Sequence, residues 1–231
     1  MKILVVSDEP SKSLWDYYTP DKLKGIDLMI SCGDLSPHYL QFLVTMGTCP
    51  LIYVRGNHDA VYEKTPPEGC VCIEDRIFNF RGLRIMGLGG SMRYKPGPDM
   101  YTEKEMAGRI RKMRLKLGFT GGIDLLVTHA PASGYGDMED LPHRGFACFN
   151  DLMDRVHPIC MLHGHVHKTY GAGFVREREH PSGTRIINAY ESYILDIPEH
   201  MYHPYGETHA PVYDRYCKTI TKLHREESTI V

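Results

Sequence analysis

Short apolar runs rich in β-branched residues recur along this chain, and several of them stop at an aspartate, asparagine or histidine. The runs occupy 2–6, 27–31, 51–54, 83–88, 123–128, 159–162, 185–187 and 193–197. Each is short, and most are nearly continuous in their apolar character, which marks strands buried on both faces. Between several of them lie segments with helical spacing, at Pro37–Met46, 102–117 and 146–155. Alternation of this kind predicts a layered α/β fold. The first half reads β-α-β-α-β and predicts parallel pairing. The second half joins its strands through short glycine-containing turns, at 79–82 and 171–183, and predicts antiparallel or mixed pairing. Two packed sheets with helices outside satisfy both halves, and a length of 231 residues suits one large domain.

The polar residues at the ends of the runs carry the chemistry. Asp8 follows the first run and Gly33-Asp34 the second. Gly56-Asn57-His58-Asp59 follows the third, His129 the run ending at 128, and Gly164-His165-Val166-His167 the run ending at 162. A single polar residue after a strand is ordinary, because loops are polar. Many strand ends bearing Asp, Asn or His together predict a site, since ligands of α/β sheets gather outside the carboxyl ends of strands. Carboxylate oxygen and imidazole nitrogen without thiolate suit Mn, Fe, Zn or Ni better than a cysteine-built structural zinc. A carboxylate bridging two cations would hold them about 3.5–4 Å apart, the spacing of two-metal hydrolytic sites.

These motifs resemble the calcineurin-like metallophosphoesterase superfamily, whose pattern runs Asp-x-His, Gly-Asp, Gly-Asn-His-Asp/Glu, a lone His and Gly-His-x-His. The resemblance covers residues 1–197, which it marks as the phosphoesterase domain, with 198–231 as a C-terminal tail packed on the same domain. It implies a four-layer αββα sandwich of two mixed β-sheets, and two divalent cations, with Mn the first choice. By position, Asp8 and His167 resemble ligands of the first metal, Asn57, His129 and His165 ligands of the second, and Asp34 the bridging carboxylate. His58 resembles the residue that contacts the phosphate and protonates the leaving oxygen, with Asp59 orienting it by a hydrogen bond. The activity implied is hydrolysis of a small phosphomonoester or phosphodiester by metal-activated water.

One position departs from the pattern. Pro10 stands where the family has its first histidine, and a proline ring offers no donor electrons. Glu9 or His38 can replace the ligand, a water can, or the site holds only the second metal firmly. The same departure favours the alternative function, a catalytically weakened phosphoesterase-like scaffold that binds a protein partner. Retention of His58 and of the second metal's residues opposes it.

Composition narrows the partners. A formal charge of −2 gives no general basic face for long nucleic acids. The first residues lack the apolar core of a signal peptide, and no apolar run approaches the roughly 18 residues that span a membrane. Seven scattered cysteines without a CxxC pair read as reduced, mostly buried thiols of a cytoplasmic protein. The segment 109–116 reads as an amphipathic helix with a basic outer face, using Ile110, Met113 and Leu115 as its apolar side. His163 reads as a packed histidine on the face opposite the motif, Arg93 and Tyr94 as residues of an exposed Gly/Pro loop, with reach over the metals to a phosphate as the alternative, and Pro142-His143-Arg144-Gly145 as a helix-entry loop, with a part in shaping the substrate pocket as the alternative. The last thirty residues, with their histidines and prolines, are weakly patterned and read as a tail wrapping the surface.

Overall fold

In the computed structural model, which describes residues 1–170, 174–203 and 207–227, the apolar runs assemble into two facing sheets. The first contains β1 (Lys2–Ser7), β2 (Leu28–Ser31), β3 (Leu51–Tyr53), β4 (Cys70–Cys72) and β13 (Glu191–Asp196), in the order β13-β1-β2-β3-β4. The second contains β5 (Ile77–Phe80), β6 (Leu83–Leu88), β9 (Leu125–Thr128), β10 (Cys160–His163), β11 (Glu177–Glu179) and β12 (Arg185–Asn188), in the order β11-β12-β10-β9-β6-β5. A short parallel pair, β7 (Ser91–Met92) and β8 (Met100–Tyr101), flanks the loop between them. Both sheets are mixed. β1, β2, β3 and β4 run parallel while β13 is antiparallel to β1. In the second sheet β6, β9, β10 and β12 run parallel, with antiparallel strands at both edges.

Strand periodicity sorts the core into layers. On β1, Ile3 and Val5 face the other sheet and join Leu125, Val127 and Leu162 between the two. Leu4 and Val6 turn outward and are covered by Tyr39, Leu40 and Leu43 of α1 (Pro37–Met46). On the outside of the second sheet, Met86, Leu126 and Met161 pack under α2 (Glu103–Lys112), α3 (Arg114–Thr120) and α4 (Ala147–Val156). The result is the four-layer αββα sandwich. α1 starts at Ser36, whose Oγ accepts from Tyr39 N at 3.2 Å, with Pro37 at the first helical position. α2 starts with a capping box between Thr102 and Glu105.

Several elements differ from the sequence reading. The link between β1 and β2 has only a 3₁₀ turn at Pro20–Leu23 rather than a helix. The short strands β4, β5, β7, β8 and β11 carry too few residues to show a period. The segment 102–117 is two helices, because the Met113 N–H is shared among carbonyls of Arg109, Ile110 and Arg111 and the turn tightens there. Leu115 is 87% exposed, so the buried side of this region is Met106, Ile110, Met113 and Leu117. Arg109 is not on a basic outer face. It is buried, donates from Nε to Asp75 Oδ1 at 2.9 Å and from Nη1 to Gly89 O at 2.7 Å, pairs with Glu74, and lies over the Tyr101 ring. Pairing with two carboxylates and stacking on an aromatic face compensate its burial.

After residue 197 the weakly patterned tail contains a helix. Residues Pro211–Glu227 form α5, with Tyr213 buried edge-on against Phe119 and its hydroxyl bonded to Asn79. Gly171 of the 171–183 turn, Pro204 of the tail and residues 228–231 lie outside the described residues. Among the described residues no helix is long and apolar enough to cross a membrane. Among the described residues no disulfide joins the cysteines, of which Cys32, Cys148 and Cys160 are buried and the rest half-buried.

The second sheet is pinned by a buried ion pair. Arg84 on β6 donates from Nη2 to Asp124 Oδ1 at 2.6 Å and from Nε to Oδ2 at 3.0 Å, and its Nη1 caps the carbonyls of Thr120 and Gly121. Removing one partner strands the other charge in a low-dielectric layer. Asp124→Ala is expected to lower the unfolding free energy by about 3–5 kcal/mol, read from the midpoint of a urea denaturation curve.

Candidate metal centre

The carboxyl ends of β1, β2 and β3 meet those of β9 and β10 at one end of the sandwich, and the predicted residues lie on the turns that follow them. Asp8, Asp34, Asn57, His58, His165 and His167 line one cleft of about 460 Å³, with Tyr94, Pro142, His143 and Tyr170. His129 lies fully buried at its floor, where its ring meets Asp34, Asn57 and His165.

The turns are tight, and the backbone shows it. Asp8, Asp34 and His165 all adopt the left-handed region, with φ of 66°, 57° and 69°. Such conformations are costly for side-chain-bearing residues and collect at functional sites. The glycines beside them permit close approach. A Cβ on Gly56 would overlap Asp34 Oδ1, and one on Gly164 would overlap Ser7 Oγ.

Hydrogen bonds on the far side of each ring fix which atoms face the centre. A carbonyl only accepts, so His129 Nδ1 donates to Cys32 O at 2.8 Å and Nε2 is left pointing inward. His165 Nε2 donates to Pro142 O at 2.7 Å, so its Nδ1 points inward. Around His129 Nε2 stand Asn57 Oδ1 at 3.1 Å, His165 Nδ1 at 3.1 Å and Asp34 Oδ2 at 3.3 Å. Asp34, His129 and His165 present ligand atoms within 4.8 Å of one another. Ligand atoms bound about 2.1 Å from one metal lie about 3.0–3.4 Å apart in octahedral or tetrahedral geometry. The donor set therefore fits a divalent cation, and the outer hydrogen bonds orient it as metal-binding histidines require.

The charges are coupled in the same sense. Burial raises the Asp34 carboxyl, but His129, with the His58 N–H, outweighs it and holds the group well below the usual carboxylate range. Burial lowers the His129 imidazole, and the Asp34 and Asp8 carboxylates with Cys32 O reverse this and lift it to about 10. His165 is pushed down to about 3 by burial and then by its charged neighbour His129. The protein thus gathers one carboxylate, one amide and two rings around a point where positive charge is favoured.

The remaining predicted residues sit close by in different arrangements. Asp8 has a fully buried carboxylate whose two oxygens both accept from His165 N, at 2.9 and 3.0 Å. His167 Nε2 is 3.4 Å from Asp8 Oδ1, and its ring stacks on Tyr170 with centroids 4.5 Å apart and an interplanar angle of 11°. His58 is exposed at the cleft, and its backbone N–H donates to Asp34 Oδ1 at 2.8 Å.

Asp59 differs from its expected role. Its side chain makes no hydrogen bond to the His58 ring among the described contacts. The chain enters a 3₁₀ turn at Asp59–Glu63, which tucks the carboxylate beneath the motif, where Oδ2 accepts from Gly56 N and Asp34 N at 2.8 Å each. Burial, then the Asp34 charge, raises its pKa to about 7.

Tyr170 and the Pro142 carbonyl belong to the cleft and were not legible as such. Tyr170 is three residues past His167 on a 3₁₀ turn, a spacing that brings it back over that ring. His143 bonds Asp140 and its ring lies 5.2 Å from that of His165, so the loop before α4 forms a cleft wall, as the pocket-shaping alternative expects. Tyr94 lines the cleft as well, whereas Arg93 turns away to Met100 O and Glu105. His163 is buried outside the cluster, bonded to Gly164 O at 2.9 Å and lowered to about 4 by burial.

The model of the calcineurin-like phosphoesterase superfamily domain matches residues 1–189. The chain belongs to that superfamily. Two Caenorhabditis elegans proteins are related to it. UPF0046 protein T07D4.2 is 26% identical over 171 residues, covering 67% of this chain and 37% of that protein. UPF0046 protein C25E10.12 is 24% identical over 203 residues, covering 73% of this chain and 69% of that protein. The chain thus spans little more than a third of the first relative's length. The fold is similar to that of TT1561 of Thermus thermophilus, with a TM-score of 0.53 and 15% identity over 82% of this chain and 89% of that one. A further crystal structure matches with a TM-score of 0.60 and 17% identity, over 84% of this chain and 94% of that one. Membership supports a metal-dependent phosphoesterase scaffold of the kind that generally binds two divalent metals.

The buried Asp59 carboxylate serves two backbone donors at once. Asp59→Ala is expected to cost about 1–3 kcal/mol for each N–H left unpaired, measured by thermal unfolding. Asp59→Asn keeps an acceptor oxygen in place and is expected to recover most of that loss.

Proposed function

We propose that this chain hydrolyses a phosphate ester of a small molecule, monoester or diester, with a divalent cation gripped by Asp34, Asn57, His129 and His165. The observation that supports this reading is the convergence of four donor atoms on one point, each ring turned there by a hydrogen bond on its opposite edge. When bound, divalent cations neutralise phosphate charge and lower the pKa of water towards neutrality. The residues of the chain supply the remaining requirements. Asn57 contributes a donor oxygen without negative charge, so the centre does not repel an anionic substrate. Asp34 is held in place by His58 N–H on one oxygen and faces His129 with the other. His58, exposed in the cleft, meets the phosphate and passes a proton to the leaving oxygen, a task suited to imidazole.

Asp8 and His167 offer a poorer cation position. Pro10 contributes no ligand, and both Asp8 oxygens are already hydrogen-bonded to His165 N. Glu9 lies beside the Tyr190 hydroxyl, and His38 is exposed on the first turn of α1. Neither joins the group of Asp34, His129 and His165. We therefore assign one firm cation, manganese in preference to iron, zinc or nickel, and one weak position beside Asp8 and His167.

With manganese, His58→Ala is expected to reduce turnover of p-nitrophenyl phosphate or its diester by roughly 10²–10⁴-fold, with an unchanged melting temperature because the side chain is exposed. An unaffected rate removes His58 from the mechanism. Elemental analysis after dialysis against trace manganese is expected to find one ion per chain, and Pro10→His to add a second. Two firm ions in the natural sequence contradict the weak position. No ion and no turnover with any divalent metal contradict the phosphoesterase reading.

A further inference from the structure

A second cavity, of about 200 Å³, adjoins the cleft, and His167 and Tyr170 line both, so that their stacked rings form a shared wall. Its other walls are largely apolar, with Met138, Val166 and Phe174, and it also contains Arg178. Arg178 occupies the middle of β11 opposite Ile186, which places it on the side of the second sheet that carries the outer core. The flanking Glu177 points the other way and is taken by Arg185 and Tyr193.

Arg178 Nε is buried without a hydrogen-bond partner, and no ion pair involves this residue among the described residues. Asp137 lies on the same cavity wall, but both its oxygens are occupied by Gly134 N and Gly145 N, at 2.8 and 3.0 Å. Buried polar groups are nearly always paired. A guanidinium whose Nε is left open in a largely apolar cavity beside the candidate cleft is a feature that an anionic part of a ligand would complete.

We propose that this cavity receives the leaving group of the substrate, a ring-sized apolar group ending in a carboxylate-class anion that Arg178 grips with its planar fork. The proposal rests on the phosphoesterase reading of the neighbouring cleft. The volume is in keeping, since a cavity of roughly 150 Å³ takes up a benzene ring. The phosphoryl end then lies at the metal centre, the ring passes the His167–Tyr170 wall, and the anion meets Arg178.

The test compares 4-carboxyphenyl phosphate with phenyl phosphate as substrates of the manganese-loaded protein. The carboxylated ester is expected to have a kcat/KM roughly 10–100-fold higher, as a charge-assisted hydrogen bond provides, and Arg178→Met to bring the ratio close to one. Val175→Asp, at an exposed position on the cavity wall, is expected to lower the ratio through charge repulsion and covers the case in which Arg178→Met fails to fold. Calorimetric titration with 4-phosphonobenzoate gives a readout that needs no turnover, and its affinity is expected to fall to that of phenylphosphonate in Arg178→Met. Turnover with equal rates for both esters overturns the cavity assignment and leaves the phosphoesterase reading intact. Binding that depends on Arg178 without turnover of either ester keeps the cavity and overturns the hydrolytic reading. Equal binding of the two phosphonates by the natural protein overturns the cavity assignment.

Discussion

Two hydrogen bonds that cross from one sheet to the other hold the working end of this molecule together. His129, at the end of β9, donates to the carbonyl of Cys32, which follows β2. His165, after β10, donates its backbone N–H to Asp8, which follows β1. The apolar layer between the sheets sets their separation but is indifferent to small sliding movements. The polar clasps are directional and fix the register of the strand ends to within the tolerance of a hydrogen bond. Because the same side chains and turns also form the candidate metal centre, the alignment of the sheets and the geometry of the site are one constraint.

That constraint divides the site unevenly. On the side of Asn57, every ring has its outer nitrogen engaged and its inner atom available. On the side of Asp8, the carboxylate is turned towards backbone and His167 is flanked by the rings of Tyr170 and Tyr190. Asp59 sits under the whole assembly and couples the Gly56 turn to the Asp34 turn. A proline in the first motif is tolerable in such an arrangement, because the turn after β1 is secured by hydrogen bonds of Ser7 and Asp8.

Long apolar runs such as 2–6, 83–88 and 159–162 revealed their strands because they are buried on both faces and carry no competing period. The strands β4, β7 and β11, of two or three residues, are created by their neighbours and leave no such trace. Arg109 illustrates a different gap. Its place in a basic segment predicts exposure, and only the folded chain brings Glu74, Asp75 and Tyr101 around it. The same holds at the site. The residue types after the strands placed Asp34, Asn57, His129 and His165 in one site with their neighbours, and the family resemblance grouped these four around one cation. They gave no sign that Asp59 would bond backbone rather than His58, since that depends on the path of a 3₁₀ turn. The Pro142 carbonyl was likewise invisible, because backbone acceptors have no sequence signature.

The left-handed conformations of Asp8, Asp34 and His165 have an implication for how such a chain drifts over time. Glycine would relieve each of these turns, so mutations there can make the folded state more comfortable while removing a side chain that lines the cleft. A lineage relieved of the need for catalysis would accordingly lose these side chains first and keep its sandwich undisturbed.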